Sequence, residues 1–415
     1  MKSSFHYRDR QLYVENVPLA HIAQQWGTPT YVYSLSALLD NYQAFTHALQ
    51  NQPHLICYAV KANSNIALLN CLAKQGSGFD IVSLGELHRV LAAGGDVRKI
   101  VFSGVGKGEL DIRNALDIGI ACFNVESAPE LDKIQAIAKR LNKPASISIR
   151  VNPDVDAKTH PYISTGLKIH KFGVDIDNAI KMYQHAQSLS HIKIHGIDCH
   201  IGSQITAIEP FLQALDQVLD LIDQLKKSGI DIAHLNLGGG LGVRYQDEIP
   251  PDISTYCAAI VQQLKGRDIK LILEPGRALV ANTGILLTHV EYIKQGFEKK
   301  FAIVDAAMND LIRPSLYDAW HHLLPVIEHQ DIDEDIYDVV GPVCETGDFI
   351  AKQRALKIKD QDLIAIMSAG AYGFSMSSNY NSRPRAAEIA VKGDSARVVR
   401  DRETYSDLFK HEHLL

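Results

Sequence analysis

The sequence predicts an α/β chain: a (β/α)8 barrel of TIM type followed by a mostly antiparallel β domain. Three observations predict it. Between residues 54 and 280 short apolar runs alternate with helical patterns, the βα repetition of a parallel sheet. The candidate strands end near Lys61, Asp80, Ser103, Asn124, Arg150, His200, Gly238 and Glu274, and eight such units suit a closed barrel. An open doubly wound sheet shares that periodicity. What favours the barrel is chemical: Lys61, Asp80, His200, Gly238 and Glu274 fall at the C-terminal ends of strands, where barrel active sites assemble.

The elements follow in order. Gln11-Leu12-Tyr13-Val14 and Thr30-Tyr31-Val32-Tyr33 read as strands that join the C-terminal domain in space. A helix over Ser36 to Leu49 precedes the first barrel strand and takes the place of the one that should follow the eighth. Further helices run over Leu84 to Ala93, over Ser127 to Leu141 with Ser127-x-x-Glu130 as a capping box, and over Pro210 to Lys227. After about residue 282 the pattern becomes alternating strands, such as Ile285 to Ile293, Phe301 to Asp305 and Leu363 to Ile366. The expected division is a barrel over 36–282 and a β domain formed by 1–35 plus 283–415.

Composition narrows the function. At 415 residues and 46% apolar the chain can bury a large core, and its net charge of -6 is mixed along the sequence. No basic run is long enough to follow a phosphate backbone and no apolar run approaches a membrane span, so neither nucleic acid nor membrane is an expected partner. A small-molecule partner and a cytoplasmic location are expected. The six cysteines form no Cys-x-x-Cys pair and sit mostly in apolar context, as reduced core thiols do. His321-His322 and His411-Glu412-His413 lack metal-site spacing; solvated or capping roles are expected for them, and no structural metal.

Five motifs carry chemistry. Lys61 closes the run Ile56 to Val60 beside small residues, and a partly buried lysine shifts its pKa readily, so it can offer a neutral amine to a carbonyl carbon. His200-Ile201-Gly202-Ser203-Gln204 offers a ring for stacking and a hydroxyl for an anion. Asn236-Leu237-Gly238-Gly239-Gly240-Leu241-Gly242 lets backbone amides cradle a compact phosphate. Leu273-Glu274-Pro275-Gly276-Arg277 pairs a carboxylate, for a protonated ring nitrogen, with a guanidinium for an anion. Gly341-Pro342-Val343-Cys344-Glu345-Thr346-Gly347-Asp348 sets a thiol and a carboxylate in a loop, and such a thiol can donate a proton near neutrality. Arg313-Pro314-Ser315-Leu316-Tyr317 and Ala369-Gly370-Ala371-Tyr372-Gly373 add a guanidinium and two phenols.

In this order, and over nearly the whole chain, these motifs resemble those of the fold-type III pyridoxal-phosphate-dependent decarboxylases, in particular the branch acting on diaminopimelate. Arg150-Val151-Asn152-Pro153 and His170-Lys171-Phe172-Gly173 add to the likeness. The resemblance implies that Lys61 holds pyridoxal 5'-phosphate, with Asp80 in the cofactor site and His200 stacked on the ring. It implies that Ser203, Gly238, Gly239, Gly240 and Tyr372 bind the phosphate, with the Gly276-Arg277 turn nearby. Glu274 would keep the ring nitrogen protonated, and Cys344 would return a proton to the substrate carbon once CO2 has left, giving L-lysine. It also implies a homodimer with shared active sites, Cys344 and Glu345 of one subunit completing the site on the other's barrel.

Meso-diaminopimelate carries an amino acid group at each end, so a site for it must bind both charges of the unreacted one. Arg277, Arg313, Tyr317 and Tyr372 can meet the carboxylate end and Glu345 the ammonium. A decarboxylase of ornithine, lysine or arginine on the same fold is the alternative, but two arginines would repel a bare distal cation, and in such relatives the cysteine is typically followed by Asp. An amino-acid racemase would lack the Glu274 pattern. A non-catalytic regulatory relative would usually have lost the lysine or the phosphate loop, and both are present.

Overall fold

The computed structural model describes every residue except 1–3 and 157–170, and the chain divides into two compact units. The first, Asn41–Val243 with Glu248–Ala278, is the barrel. Its eight parallel strands are His54–Ala59, Gly78–Ile81, Ile100–Phe102, Cys122–Val125, Ala145–Val151, Ile192–Cys199, His234–Asn236 and Lys270–Leu273. They pair in chain order, and the sheet closes where Leu271, Ile272 and Leu273 lie opposite His54, Leu55 and Ile56. Both faces of such strands are covered, which is why they read as apolar runs: Tyr58, Phe79, Phe102, Phe123, Ile149 and Leu235 are all buried.

The strands are short and the helices between them start on side-chain caps. Asn65, Ser83, Ser127, Asp175 and Asp252 each accept a hydrogen bond from a first-turn N–H, a contact worth about 1 kcal/mol. The capping box expected at Ser127 is only half formed. Ser127 Oγ accepts from the Glu130 N–H at 3.4 Å, but the Glu130 carboxylate is drawn to the Glu126 N–H at 2.8 Å and to buried Lys107 at 2.8 Å. A buried ammonium outbids a single backbone N–H for a charged acceptor.

Polar groups also lie within the barrel. Ser148 Oγ lies 2.8 Å from His234 Nε2 and 3.3 Å from Cys122 Sγ. Burial, then His195 and Lys270, depress the His234 pKa from 6.5 to about 4. The folded state therefore favours the neutral ring: the stability this contributes is present above pH 6.5 and is lost as pH falls toward 4. The effect is on the order of 3 kcal/mol. His234→Gln is expected to flatten the fall in thermal stability across that window, and identical slopes for parent and variant would remove His234 from the account.

The second unit, Met1–Asp40 with Arg244–Asp247 and Leu279–Leu415, is built on a nine-stranded, mostly antiparallel sheet. Its spine is the long strand Gly284–Gln295, antiparallel to Lys300–Val304, Leu363–Ile366 and Thr30–Ser34. Thr30–Ser34 also runs parallel to Ala387–Lys392. A small sheet of Phe5–Arg8, Gln11–Val14 and Val17–Pro18 packs Phe5, Leu12 and Val14 into the same core as Val32, Ile285, Leu287 and Ile389. Gln11–Val14 alternates because one face meets this core, whereas Thr30–Ser34 and nearly all of Ala387–Lys392 are buried on both faces, as is the first part of Gly284–Gln295. No described helix is long and apolar enough to cross a membrane.

Candidate active site

The barrel unit gathers charged groups at the C-terminal ends of its strands. Lys61 sits in a single 3-10 turn, Val60–Ala62, just beyond the first strand, and its Nζ donates to Asp80 Oδ2 at 2.5 Å. Asp80, on the second strand, is fully buried. Glu274 directly follows the eighth strand and is 6% exposed; Asn236 Nδ2 donates to its Oε1 at 2.5 Å. Burial, with Asp80 and Asp198 nearby, raises the Glu274 pKa well above the carboxylate range, against the opposing pull of Lys61.

Asp198, on the sixth strand, is likewise pushed up by burial, while Arg150 works against the shift. Arg150 is held between Glu126 Oε1 at 2.9 Å and Asp198 Oδ2 at 3.9 Å, and Glu126 Oε2 accepts from the Gly173 N–H at 2.8 Å. Of the motif at 170–173, His170 lies outside the described residues. Among the described residues, Asp80 Oδ1, Asn124 Oδ1 and Asp198 Oδ1 are buried with no hydrogen-bond partner.

The anion-binding candidates of this unit also converge. Arg277 Nη2 and Nε donate to Ser203 Oγ at 3.1 and 3.3 Å. The Gly239 N–H donates to His200 Nδ1 at 3.2 Å, so in the neutral ring the proton lies on Nε2. Burial first, then Arg150 and Lys61, push the His200 pKa well below 6.5. Part of the glycine run has a packing cause besides ligand approach. Gly238 has φ +64 and a Cβ there would lie 2.6 Å from His200 Nδ1, while a Cβ on Gly239 would collide with the Glu274 carbonyl. Gly240 completes the turn, and Gly276, just before Arg277, packs against Ala59 and Ala62.

The β unit carries the other candidates. Cys344 and Glu345 are exposed in the loop between strands Asp335–Val340 and Phe349–Leu356, and the Cys344 N–H donates to Asn381 Oδ1 at 2.8 Å. Arg313 opens the short helix Arg313–Tyr317, which is tied to that loop by Ser315 Oγ donating to the Gly347 carbonyl at 2.8 Å. Arg313 is buried and Tyr317 half-buried. Tyr372 has φ +56, left-handed backbone that a bulky residue rarely adopts.

One expectation is corrected. His321 is neither solvated nor a cap: it is 0% exposed, with Nδ1 at 2.8 Å from the Met367 carbonyl and Nε2 at 2.9 Å from Arg313 Nη1. His322 is exposed. The sequence reading also missed Glu126, Asp198 and Asn236 as members of the barrel cluster. Asn236 and Asp198 were findable in principle, as polar residues inside strand runs otherwise apolar.

A barrel with a lysine, buried carboxylates and a glycine-lined turn at its strand ends defines a class, and residues 35–281 match the family described as "Pyridoxal-dependent decarboxylase, pyridoxal binding domain". The chain is 57% identical to the diaminopimelate decarboxylase of Pseudomonas aeruginosa over 99% of both chains. Among solved structures it is similar to diaminopimelate decarboxylase of M. jannaschii in co-complex with L-lysine, with a TM-score of 0.95, 37% identity, and coverage of 99% of this chain and 98% of that one. The Helicobacter pylori enzyme, also complexed with L-lysine, gives a TM-score of 0.92 at 43% identity, covering 95% and 99%. The chain belongs to the diaminopimelate decarboxylase family.

Pyridoxal phosphate is the cofactor this family implies, and the barrel residues fit it. Buried Asp80, Asp198 and Glu274 lie at the strand ends with Lys61 and Arg150, Arg150 being shared with Glu126, and Asp80 Oδ1 and Asp198 Oδ1 have no hydrogen-bond partner, so this rim can accept a further cation such as a protonated ring nitrogen. The Ser203–Arg277 pair and the amides of the glycine turn suit a phosphate.

Proposed function

We propose that this chain catalyses the pyridoxal-phosphate-dependent decarboxylation of meso-diaminopimelate to L-lysine and CO2. The observation that carries the proposal is the Lys61 amine held on buried Asp80 among carboxylates at the barrel mouth; the named relatives supply the substrate.

When bound, the cofactor supplies an electron sink for the bond to CO2. Lys61 would hold it and release it to the incoming amine. Asp80 keeps a charged acceptor at the lysine nitrogen. Glu274, oriented by Asn236, would meet the ring nitrogen, and neutral His200 would lie against the ring. Ser203, Gly238, Gly239, Gly240, Gly276, Arg277 and Tyr372 would take the phosphate. Arg277, Arg313, Tyr317 and Tyr372 would meet the distal carboxylate and Glu345 the distal ammonium, the two charges that set this substrate apart from a basic amino acid. Cys344 would hold a proton on Sγ and pass it to the substrate carbon vacated by CO2.

The proposal includes a homodimer in which Cys344 and Glu345 of one subunit serve the barrel of the other, and a cytoplasmic location, which the six free cysteines support. The test is CO2 release and product identity with added pyridoxal phosphate, comparing meso-diaminopimelate with ornithine, lysine and arginine. Lysine formed from diaminopimelate alone is expected. Release from a basic amino acid instead would keep the Lys61 chemistry and overturn the specificity residues.

A further inference from the structure

The helix Arg313–Tyr317 is barely longer than one turn, too short to fix a four-torsion side chain by itself. Arg313 is fixed by its surroundings instead. Its Nη1 meets His321 Nε2 at 2.9 Å, and its Cζ lies 4.6 Å from the centroid of the Tyr245 ring. Tyr245 and His321 pack edge to face, centroids 5.5 Å apart at 79°. All three side chains are enclosed: His321 is 0% exposed, Arg313 6% and Tyr245 8%.

The hydrogen bonds dictate the state of the imidazole. A carbonyl can only accept, so the Met367 carbonyl at 2.8 Å places the ring proton on Nδ1. Nε2 then presents a lone pair to the guanidinium. A doubly protonated ring would set N–H against N–H and cation against cation, so this arrangement holds the neutral form. Met367 in turn donates its N–H to the His322 carbonyl at 2.8 Å, which ties the backbone of the following residue to the same partner.

We infer that His321 and Tyr245 are positioning residues for recognition of the substrate's distal carboxylate: one fixes the rotation of the Arg313 guanidinium by accepting from Nη1, the other supports its face. The inference rests on the proposed reading of Arg313 as a partner of that carboxylate. Arg is useful there because its planar fork matches a carboxylate in two places at once, and a fork free to rotate loses that match.

The test uses the full chain loaded with cofactor, its pyridoxal absorbance checked in every variant. In His321→Phe, KM for meso-diaminopimelate is expected to rise by about tenfold or more, the scale of a misplaced binding group, with kcat moved far less. Residual turnover of an analogue lacking the distal carboxylate should be unchanged. His321→Gln, whose amide oxygen can still accept from Nη1, should recover most of the affinity, and Tyr245→Leu should raise KM even where His321→Phe proves too unstable to assay. Equal losses on both substrates would mean a merely structural role and overturn the inference. So would a rise in KM in Arg313→Met that neither His321→Phe nor Tyr245→Leu reproduces. An unchanged KM in Arg313→Met would instead overturn the reading of Arg313 itself, and the inference with it.

Discussion

Lys61→Ala protein is expected to turn over diaminopimelate at least about a thousandfold more slowly than the parent, the scale seen when a covalent group is removed from a concerted site. It should also lose the visible absorbance of a lysine-linked cofactor. The reason lies in the pair at 2.5 Å: Asp80 is fully buried, so deleting the ammonium leaves its charge without its nearest counter-ion as well as deleting the nucleophile. Lys61→Arg should not rescue. A guanidinium answers the charge of Asp80, but it stays protonated and cannot attack a carbonyl. Parent-like rates in Lys61→Ala would remove the covalent role.

The second large effect is expected at Cys344. Cys344→Ala should lower turnover about a hundredfold, the lower end for a missing general acid, while the cofactor spectrum persists. The persistence follows from position: Cys344 is exposed in a loop of the β unit, while Lys61, the buried carboxylates and the Ser203–Arg277 pair belong to the barrel unit. Mixing the Lys61→Ala and Cys344→Ala proteins should then restore activity. Random exchange makes about half the dimers hybrids with one intact site each, hence about a quarter of parent activity. No recovery despite proven subunit exchange would argue for sites contained within one chain, and unchanged turnover in Cys344→Ala would take the proton-donor role from it.

What the sequence made legible depended on position along a strand. Lys61, Asp80, His200 and Glu274 stood out because each interrupts or ends an apolar run, and a barrel brings the ends of all its strands to one rim. Asp198 and Asn236 interrupt such runs too, but only the parallel register that sets them opposite each other shows that they share a rim with Glu274. Glu126 and Arg150 needed the pairing of the fourth and fifth strands for the same reason. His321 was misjudged because adjacent histidines read as polar surface. Its burial depends on a carbonyl 46 residues later in the chain, at Met367, and no local pattern reports that. The half-formed capping box at Ser127 failed similarly, through Lys107, far back in sequence.

The crowd of carboxylates at the barrel mouth reaches beyond chemistry. Asp80, Asp198 and Glu274 are kept from water, and the raised pKa of the last two reflects what it costs to charge them there, so a cofactor that binds the folded chain and answers that charge would stabilise it. Cofactor supply would thus govern how many copies survive, as well as how many work. Where the cofactor is scarce, newly made chains would open more often and meet proteases sooner, and the abundance of the protein would track its supply without any dedicated sensor.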